Sequence, residues 1–154
     1  MLDYIVVSNV DEYRVAADLF QEYANWLGID LGFQKFEDEL LSLQTMYGPN
    51  HGTIILCKSD NEYIACVAVR PIDDKIAELK RMYVKPKFQR RGIGEELLRL
   101  SLSFAKNAGY EKARLDTLNT MLPAMNLYKK NGFMEIPAYY FNPEPTAVYF
   151  EKSL

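Results

Sequence analysis

Six consecutive residues combine two arginines with two glycines, a composition suited to phosphate binding: Gln89-Arg90-Arg91-Gly92-Ile93-Gly94. They follow the apolar run Met82-Tyr83-Val84 and precede a helical pattern from Glu95 to Ala108. The N-terminus of a helix presents backbone N–H groups without intrahelical partners and carries partial positive charge. Glycines let the backbone approach an anion closely, and arginines add charge-assisted hydrogen bonds. The segment therefore predicts a phosphate-binding loop, and a plain strand-to-helix connection is the alternative interpretation.

Two motifs in this part of the chain resemble those of a known family. The loop matches Q/R-x-x-G-x-G/A, and it follows Met82-Tyr83-Val84-Lys85-Pro86, which is similar to L-x-V-x-P. The segment from Ala124 to Phe133 is similar to A-x-x-L-Y-x-x-x-G-F. In this order and at this separation they resemble the GCN5-related N-acetyltransferase (GNAT) family, over about Ile76 to Phe133. The tail from Ala138 to Pro143 resembles an uncharacterised bacterial branch of that family.

The resemblance implies an enzyme that moves an acetyl group from acetyl-CoA directly to a primary amine of a small molecule or peptide. A non-catalytic module that senses acyl-CoA is the alternative. The resemblance places the cofactor contacts at these residues: Met82, Tyr83, Val84, Gln89, Arg90, Arg91, Gly92, Ile93, Gly94, Glu95 and Asn119. Many family members carry an asparagine three residues before the motif alanine. That position is Met121 here, so Asn119 or Asn126 would have to replace it.

Acetyl transfer to an amine needs a neutral amine, a donor for the oxyanion and a proton for the departing thiolate. An alkyl ammonium has a pKa of about 10.4, so a base is useful at neutral pH. The resemblance implies Tyr128 as the general acid, with an aromatic core anchor as the alternative. It implies Glu78 as the base, acting through water, with an ion pair to Lys80 or Arg81 as the alternative. The backbone N–H of Val84 is the expected oxyanion donor.

The elements that must position these residues follow from the periodicity of the apolar side chains. Strand-like runs are predicted at Leu2–Ser8, Thr53–Ser59, Tyr63–Arg70, Ile76–Val84, Lys112–Thr117, Phe133–Ile136 and Ala147–Lys152. Amphipathic helical stretches run from Tyr13 to Leu27, from Phe33 to Met46, from Glu95 to Ala108 and from Leu122 to Gly132. A strand, a helix and a strand in sequence imply a parallel pair. Strand alternation also predicts that Glu78, Met82 and Val84 share one face.

The predicted fold class is α/β, with a GNAT-like mixed central sheet. Its N-terminal strands are antiparallel, a parallel splayed pair lies at its centre, and helices flank it. Ligands of such sheets favour the carboxyl ends of strands where neighbours diverge. The loop from Gln89 to Gly94 lies just beyond such an end, so the fold and the motifs predict one site.

Acidic residues on the first two helical stretches suggest how an amine would be attracted. Asp30, Glu37, Asp38 and Glu39 form an acidic collar, and Asp30 is the strongest substrate-binding candidate because it lies in the inter-helix turn. A solvated helix face is the alternative. Tyr139 and Tyr140 are further candidates for the acceptor pocket, with packing of the closing hairpin as the alternative. Acidic groups there would favour cationic amines such as polyamines, aminoglycosides or lysine side chains.

Length and composition bound the remaining possibilities. A chain of 154 residues with 49% apolar and 25% charged residues predicts a single N-acetyltransferase domain over 1–154. The net charge of −3 argues against nucleic acid as a partner, although Lys80 to Arg91 is locally basic.

Several further classes of site and location are disfavoured by the same composition. One histidine, His51, and two separated cysteines, Cys57 and Cys66, make a metal site improbable. No apolar stretch approaches the length of about 20 residues that a membrane span needs. We therefore expect a cytoplasmic protein. The sequence leaves both a monomer and a homodimer open.

Overall fold

The computed structural model describes residues 1–32, 35–49 and 51–154. Within them, seven strands form one mixed sheet in the order β1-β2-β3-β4-β5-β7-β6. The strands are β1 (Leu2–Val6), β2 (Thr53–Ser59), β3 (Glu62–Pro71), β4 (Ile76–Val84), β5 (Lys112–Leu118), β6 (Met134–Ile136) and β7 (Ala147–Ser153). The helices are α1 (Val10–Leu27), α2 (Phe36–Leu41), α3 (Leu43–Met46), α4 (Ile93–Asn107) and α5 (Leu122–Lys130).

Each of the first four strands pairs antiparallel with the next one in the chain, from β1 through β4. Strand β4 also pairs in parallel with β5. The turn between β2 and β3 is tight because Asp60 adopts a φ of 52°, a left-handed conformation that aspartate tolerates. Strand β7 lies between β5 and β6 and is antiparallel to both. This arrangement confirms the predicted fold class, including the closing antiparallel pair.

Helices cover both faces of the sheet. Leu98 of α4 and Tyr128 of α5 share a buried cluster with Leu115 of β5. On the other face, Phe20 of α1 packs in a cluster with Tyr83 of β4. The two apolar faces of the sheet are thereby removed from water, which is the main stabilising contribution to such a three-layer domain.

The second predicted helical stretch is interrupted. Instead of one helix to Met46, the chain forms α2 and α3, separated at Ser42, whose hydroxyl donates to the Asp38 carbonyl oxygen at 2.6 Å. A serine that bonds back to a carbonyl four residues earlier competes with the helical backbone pattern. Phe33, the predicted start of the stretch, lies outside the described residues.

A β-bulge in β4 corrects the predicted alternation. Cys66 pairs with Tyr83 and Ala68 with Lys80, so the register shifts between them, and Arg81 adopts a φ of 58°. Because a one-residue insertion reverses the faces beyond it, Glu78 and Val84 lie on opposite faces rather than the same one. Val84 packs against residues of α4, and Leu79 packs on the same face of the sheet. Glu78 is the neighbour of Leu79 in the strand, so its side chain lies on the opposite face.

The parallel pair separates along its length. The β4–β5 ladder consists of three pairs in the described part of the chain: Ile76 with Lys112, Ala77 with Ala113 and Glu78 with Arg114. Both strands continue beyond these pairs, to Val84 and Leu118. A gap therefore opens between the carboxyl-terminal halves of β4 and β5. Open sheets bind ligands at such points of divergence.

Candidate functional site

A cleft of about 550 Å³ occupies the gap between the two strands. Lys80 to Val84 line it from β4, and Leu115 to Leu118 line it from β5. The loop before α4, the start of α5 and the C-terminal end of α1 complete its walls. Its volume lies within the range of about 300–1,000 Å³ that small-molecule sites occupy.

The loop before α4 has the geometry of an anion site. Gly92 caps the helix with a φ of 79°, and Arg90 adopts a φ of 64°. The first bond of the helix runs from the Glu96 N–H to the Gly92 carbonyl oxygen at 3.1 Å. The N–H groups of the preceding first turn therefore lack partners within the helix, and they lie beside the cleft that Gly92 and Gly94 line.

Gln89 ties this loop to the end of β4, because its side-chain Nε2 donates to the Val84 carbonyl oxygen at 3.0 Å. Lys85, which follows Val84 in the chain, donates its N–H to the carbonyl oxygen of Ile64 in β3 at 2.9 Å. Bonded and non-bonded pairs alternate along an antiparallel ladder, so the neighbouring pair of Val84 and Ala65 is a non-bonded one. The Val84 N–H consequently points away from β3, toward the gap.

The other predicted loop residues have different surroundings. Gly94 lies inside α4, and a Cβ there would meet Leu127 at an ordinary 3.7 Å, so neither backbone nor packing demands a glycine. Glu95 lines the cleft and pairs with Lys130 of α5 at 3.1 Å. The Arg91 guanidinium stacks on the Phe88 ring at 5.3 Å, whereas Arg90 lines the cleft.

Tyr128 lines the cleft and is also part of the core. Its side chain is only 7% exposed, and its ring packs against Phe133 and Phe150 with centroid distances of 5.8 and 6.1 Å. Burial raises the pKa of Tyr128 above its ordinary value, with smaller contributions from Tyr23 and the charge of Asp116. The phenol is therefore protonated at neutral pH, as a proton donor must be.

Glu78 is held in a buried ion-paired cluster. It is 2% exposed, and its carboxylate accepts from Arg70 at 2.9 Å and from the Tyr139 hydroxyl at 2.6 Å. Lys80 lies at 3.9 Å. The alternative interpretation of Glu78 was an ion pair with Lys80 or Arg81. In the structure its charged partners are Arg70 and Lys80, whereas Arg81 pairs with Glu39. Glu78 itself does not belong to the lining of the cleft.

Asp116 is a cleft residue that the sequence interpretation missed. It lies two residues beyond the last β4–β5 pair, and its carboxylate accepts from the Tyr140 hydroxyl at 2.7 Å. Burial raises its pKa above the ordinary value of 3.8, against the lowering effect of Tyr140 and of Lys80. A carboxylate near the end of a predicted central strand was the available signal, and its meaning depends on where the neighbouring strand diverges.

The wall of the cleft that α1 and the turn after it contribute is apolar and aromatic. It consists of Tyr23, Trp26, Leu27, Ile29 and Leu31, from the end of α1 and the turn after it. Trp26 is 44% exposed, and its ring packs on Tyr83 with a centroid distance of 5.7 Å. The first helix and the turn after it thus contribute one wall of the cleft.

The remaining predicted residues lie at or beyond the margins of the cleft. Asp30 is exposed beside a separate, smaller depression, where its carboxylate accepts from the Gly32 N–H at 2.8 Å. Asn119 is exposed, and its N–H donates to the Thr146 carbonyl oxygen at 2.8 Å. The cleft wall there is instead formed by Met121, near the start of α5.

The tyrosine side chains of the predicted pocket also have defined roles. The Tyr83 side chain turns toward α1, where its hydroxyl donates to Glu22 at 3.2 Å. Tyr139, Tyr140 and Tyr149 pack edge to face with centroid distances of 5.3–5.5 Å. They form an aromatic cluster, from which Tyr139 donates to Glu78 of β4 and Tyr140 to Asp116 of β5.

Two further features are absent from the described residues. Among them, no group of three or more histidine, cysteine, aspartate or glutamate residues could hold a metal ion. Of the described helices, none has the length and apolar character needed to cross a membrane.

Known proteins share this architecture and sequence. Residues 15–133 match the family model described as the acetyltransferase (GNAT) family. An uncharacterised N-acetyltransferase of Schizosaccharomyces pombe is 37% identical over 143 residues, which cover 92% of this chain and 86% of that protein.

Solved structures extend the likeness to the whole fold. An acetyltransferase from Streptococcus agalactiae has a TM-score of 0.81 at 22% identity, with 99% of this chain and 98% of that one covered. A GNAT family acetyltransferase from Elizabethkingia anophelis, solved with acetyl-CoA bound, has a TM-score of 0.69 at 25% identity, with 99% and 98% covered. The chain therefore belongs to the acetyltransferase (GNAT) family, and it is an enzyme of the acyltransferase class.

Proposed function

We propose that this enzyme transfers the acetyl group of acetyl-CoA directly to a primary amine of a small molecule or peptide. One observation carries the proposal: a single cleft joins the anion-binding loop before α4 to Tyr128 and, beyond the β4–β5 gap, to the apolar wall of α1. A cofactor entering from one face and an acceptor entering from the other would meet in the gap. The acetyl-CoA bound to the related Elizabethkingia protein supports the donor.

The loop would hold the pyrophosphate of acetyl-CoA. The first-turn N–H groups of α4 supply the donors, and Arg90 at the cleft wall supplies charge. Gly92 has open space beside its Cα, so a bulky anion can lie against the backbone. The bound cofactor would supply an activated thioester, and the residues of the chain bind and orient it.

The chemistry would take place where the Val84 N–H and Tyr128 face the gap. We assign the Val84 N–H to the thioester carbonyl, where it would stabilise the oxyanion that develops in the transition state. We assign Tyr128 as the general acid that protonates the departing sulfur. Its raised pKa keeps the phenol protonated at neutral pH but makes it a weaker acid than an exposed tyrosine, so the transfer requires direct contact with the departing sulfur.

Glu78, the base expected from the resemblance, has contacts that favour a supporting role. Its carboxylate is bound by Arg70 and Tyr139, and its side chain is 3% exposed. A base that acts through water needs a path for that water to the amine. We propose instead that Glu78 fixes Tyr139 and thereby the aromatic cluster of Tyr139, Tyr140 and Tyr149.

A thermal-shift titration with acetyl-CoA tests the cofactor site. The matched variants are Gly92→Trp and Gly109→Trp, since both glycines have positive φ and open space around the missing Cβ. Both variants place a side chain on a backbone of positive φ, 79° at Gly92 and 95° at Gly109, but of the two only Gly92 borders the cleft. We expect acetyl-CoA to raise the melting temperature of the wild type and of Gly109→Trp, and not of Gly92→Trp.

Two results would contradict the cofactor assignment. One is the absence of any acetyl-CoA stabilisation of the wild type at saturating concentrations. The other is equal stabilisation of all three proteins, which would place the cofactor away from the loop. Stabilisation without thiol release in the presence of amines would favour the alternative of a non-catalytic acyl-CoA module.

A further inference from the structure

The acceptor end of the cleft carries a more specific chemistry, and this inference rests on the proposed function. Asp116 lies in the cleft wall just past the point where β4 and β5 separate. Its neighbour Leu115 packs against the α4 side of the sheet, so the Asp116 side chain alternates to the face that carries α1. That is the face from which an acceptor would reach the gap.

Two consecutive tyrosines hold two carboxylates at this point. The Tyr140 hydroxyl donates to Asp116 at 2.7 Å, and the Tyr139 hydroxyl donates to Glu78 at 2.6 Å. Their rings pack against each other with a centroid distance of 5.4 Å. The segment between β6 and β7 thus fixes one carboxylate on each of the diverging strands, but only Asp116 belongs to the cleft lining.

The charges that face Asp116 come from several elements. Lys80 and Glu78 act on it from β4, with Tyr140 from the closing segment and Arg81 from the bulge. The Arg81 guanidinium is engaged by Glu39, to which it donates two hydrogen bonds at 2.8 and 2.9 Å. The Lys80 ammonium lies 3.9 Å from the Glu78 carboxylate.

The negative charge of Asp116 contributes to the raised pKa values of Tyr23 and Tyr128, which lie on α1 and α5. Burial raises the pKa of Tyr23 to about 12, with the charge of Asp116 adding to that rise while Arg81 opposes it. The same charge contributes to the raised pKa of Tyr128. Asp116 therefore lies within electrostatic reach of both α1 and the general acid.

The apolar wall that α1 and the following turn contribute to the same cleft would contact the rest of the acceptor. Trp26 presents a partly exposed ring, and Ile29 and Leu31 continue the apolar surface after α1 ends at Gly28. Aromatic and aliphatic side chains at a pocket wall bind apolar groups through burial of their surface. The Asp116 carboxylate and this apolar wall together fit a ligand with a cationic head and an apolar body.

We propose that Asp116 binds the ammonium group of the acceptor and accepts its proton, with Tyr140 as a positioning residue and the Trp26 wall holding an apolar or aromatic body. In this scheme the ammonium gives its first proton to the Asp116 carboxylate, and the neutral amine attacks the thioester carbon. The C–N bond forms, the C–S bond breaks and the sulfur takes a proton from Tyr128. The second proton leaving nitrogen restores the Tyr128 phenol, and Asp116 releases its proton to solvent.

The test compares three probes in the presence of CoA and, for turnover, acetyl-CoA. The probes are 2-phenylethylamine, ethylamine, which lacks the apolar body, and 2-phenylethanol, which lacks the charge. We expect 2-phenylethylamine alone to raise the melting temperature of the CoA complex, and both Asp116→Asn and Trp26→Ala to abolish that rise. Asp116→Asn retains the shape of the side chain and an oxygen that can accept from Tyr140.

Turnover separates a base from a merely structural residue. We expect Asp116→Asn to lower kcat/KM for 2-phenylethylamine by about 100-fold or more, the usual contribution of a general base. Tyr140→Phe keeps the ring packing but removes the donor that stabilises the carboxylate, so the acid limb of its kcat/KM profile should move to higher pH. An Asp116→Asn enzyme with wild-type kcat/KM and an unchanged acid limb would overturn the proposal.

The probes also test the substrate class. Equal stabilisation by 2-phenylethanol, or acetylation of ethylamine as efficient as that of 2-phenylethylamine, would overturn the cationic head or the apolar body respectively. If neither amine is acetylated and neither stabilises the complex, the proposed class is wrong. Acetyl-CoA stabilisation of the wild type, measured in parallel, tells these failures apart from failure of the proposed function.

Discussion

Arg81, in the bulge of β4, donates two hydrogen bonds to Glu39 of α2, at 2.9 and 2.8 Å. The two side chains are 4% and 1% exposed, and the Arg81 guanidinium also lies 5.2 Å from the centre of the Phe36 ring. The pair joins the helical layer to the bulge that turns Val84 toward the opposite face. It therefore connects the stability of the domain to the geometry of the site.

Removing one member of this pair should be strongly destabilising. We expect Glu39→Ala to lower the free energy of unfolding by about 3–5 kcal/mol, because a buried guanidinium would lose its counter-charge. The control is Glu96→Ala, which breaks the exposed pair with Arg99, and its effect should be much smaller. Urea unfolding of the two variants measures the difference, and equal losses would contradict the structural role of the Glu39–Arg81 pair.

The same pair predicts a pH dependence of stability. Burial favours the neutral form of Glu39, but the hydrogen bonds and charge of Arg81 outweigh it, so the pKa lies below the ordinary value of 4.5. A carboxyl group with a lowered pKa contributes stability that is complete above the unfolded value and is lost as pH falls through the folded value. Below pH 4.5 the wild type should therefore lose unfolding free energy more steeply than Glu39→Gln. Parallel curves in urea unfolding at several pH values would refute this.

Tyr128→Phe separates the two interpretations of this tyrosine. The variant keeps the ring contacts with Phe133 and Phe150 and loses only the hydroxyl. If the phenol is the general acid, kcat should fall by about 100-fold or more while stability changes by about 1 kcal/mol or less.

Tyr110→Phe is the matched control for that substitution. Its hydroxyl donates to the His51 carbonyl oxygen at 2.6 Å, and it does not line the cleft. We expect this variant to lose some stability and retain the kcat of the wild type. Similar kcat values for all three proteins would leave Tyr128 as a core anchor only.

Glu78→Gln tests the supporting role of Glu78. The amide still accepts from Tyr139 but loses the charge that faces Arg70 and Lys80, so we expect unfolding free energy to fall by about 1–3 kcal/mol. The acid limb of the kcat/KM profile should stay in place. A fall in kcat of about 100-fold with unchanged stability would instead restore Glu78 as the base.

The sequence predicted most of the frame that carries the site. The strand from Ile76 to Val84 has the predicted bounds, and α4 begins two residues before the predicted Glu95. Period-two and helical patterns identify such elements because the core requires them. Gly92 also lies in a left-handed conformation that favours glycine, with a φ of 79°.

The details of the site depended on relationships that periodicity does not encode. The bulge at Arg81 places Glu78 and Val84 on opposite faces, although strict alternation predicts one face. Glu39 appeared as part of an exposed acidic collar but is buried against Arg81 from a distant strand. Asp116 gains its position only because β4 and β5 separate just before it. Each of these depends on pairing between distant parts of the chain.

Transfer of the acetyl label from [1-13C]acetyl-CoA to an amine tests the central claim most directly. We predict that the wild type releases CoA thiol only when an amine such as 2-phenylethylamine is present, and that the label appears in an amide by NMR spectroscopy. Tyr128→Phe should slow both signals together. Saturable binding of acetyl-CoA with no label transferred to any amine would contradict an acetyltransferase and indicate an acyl-CoA-binding module.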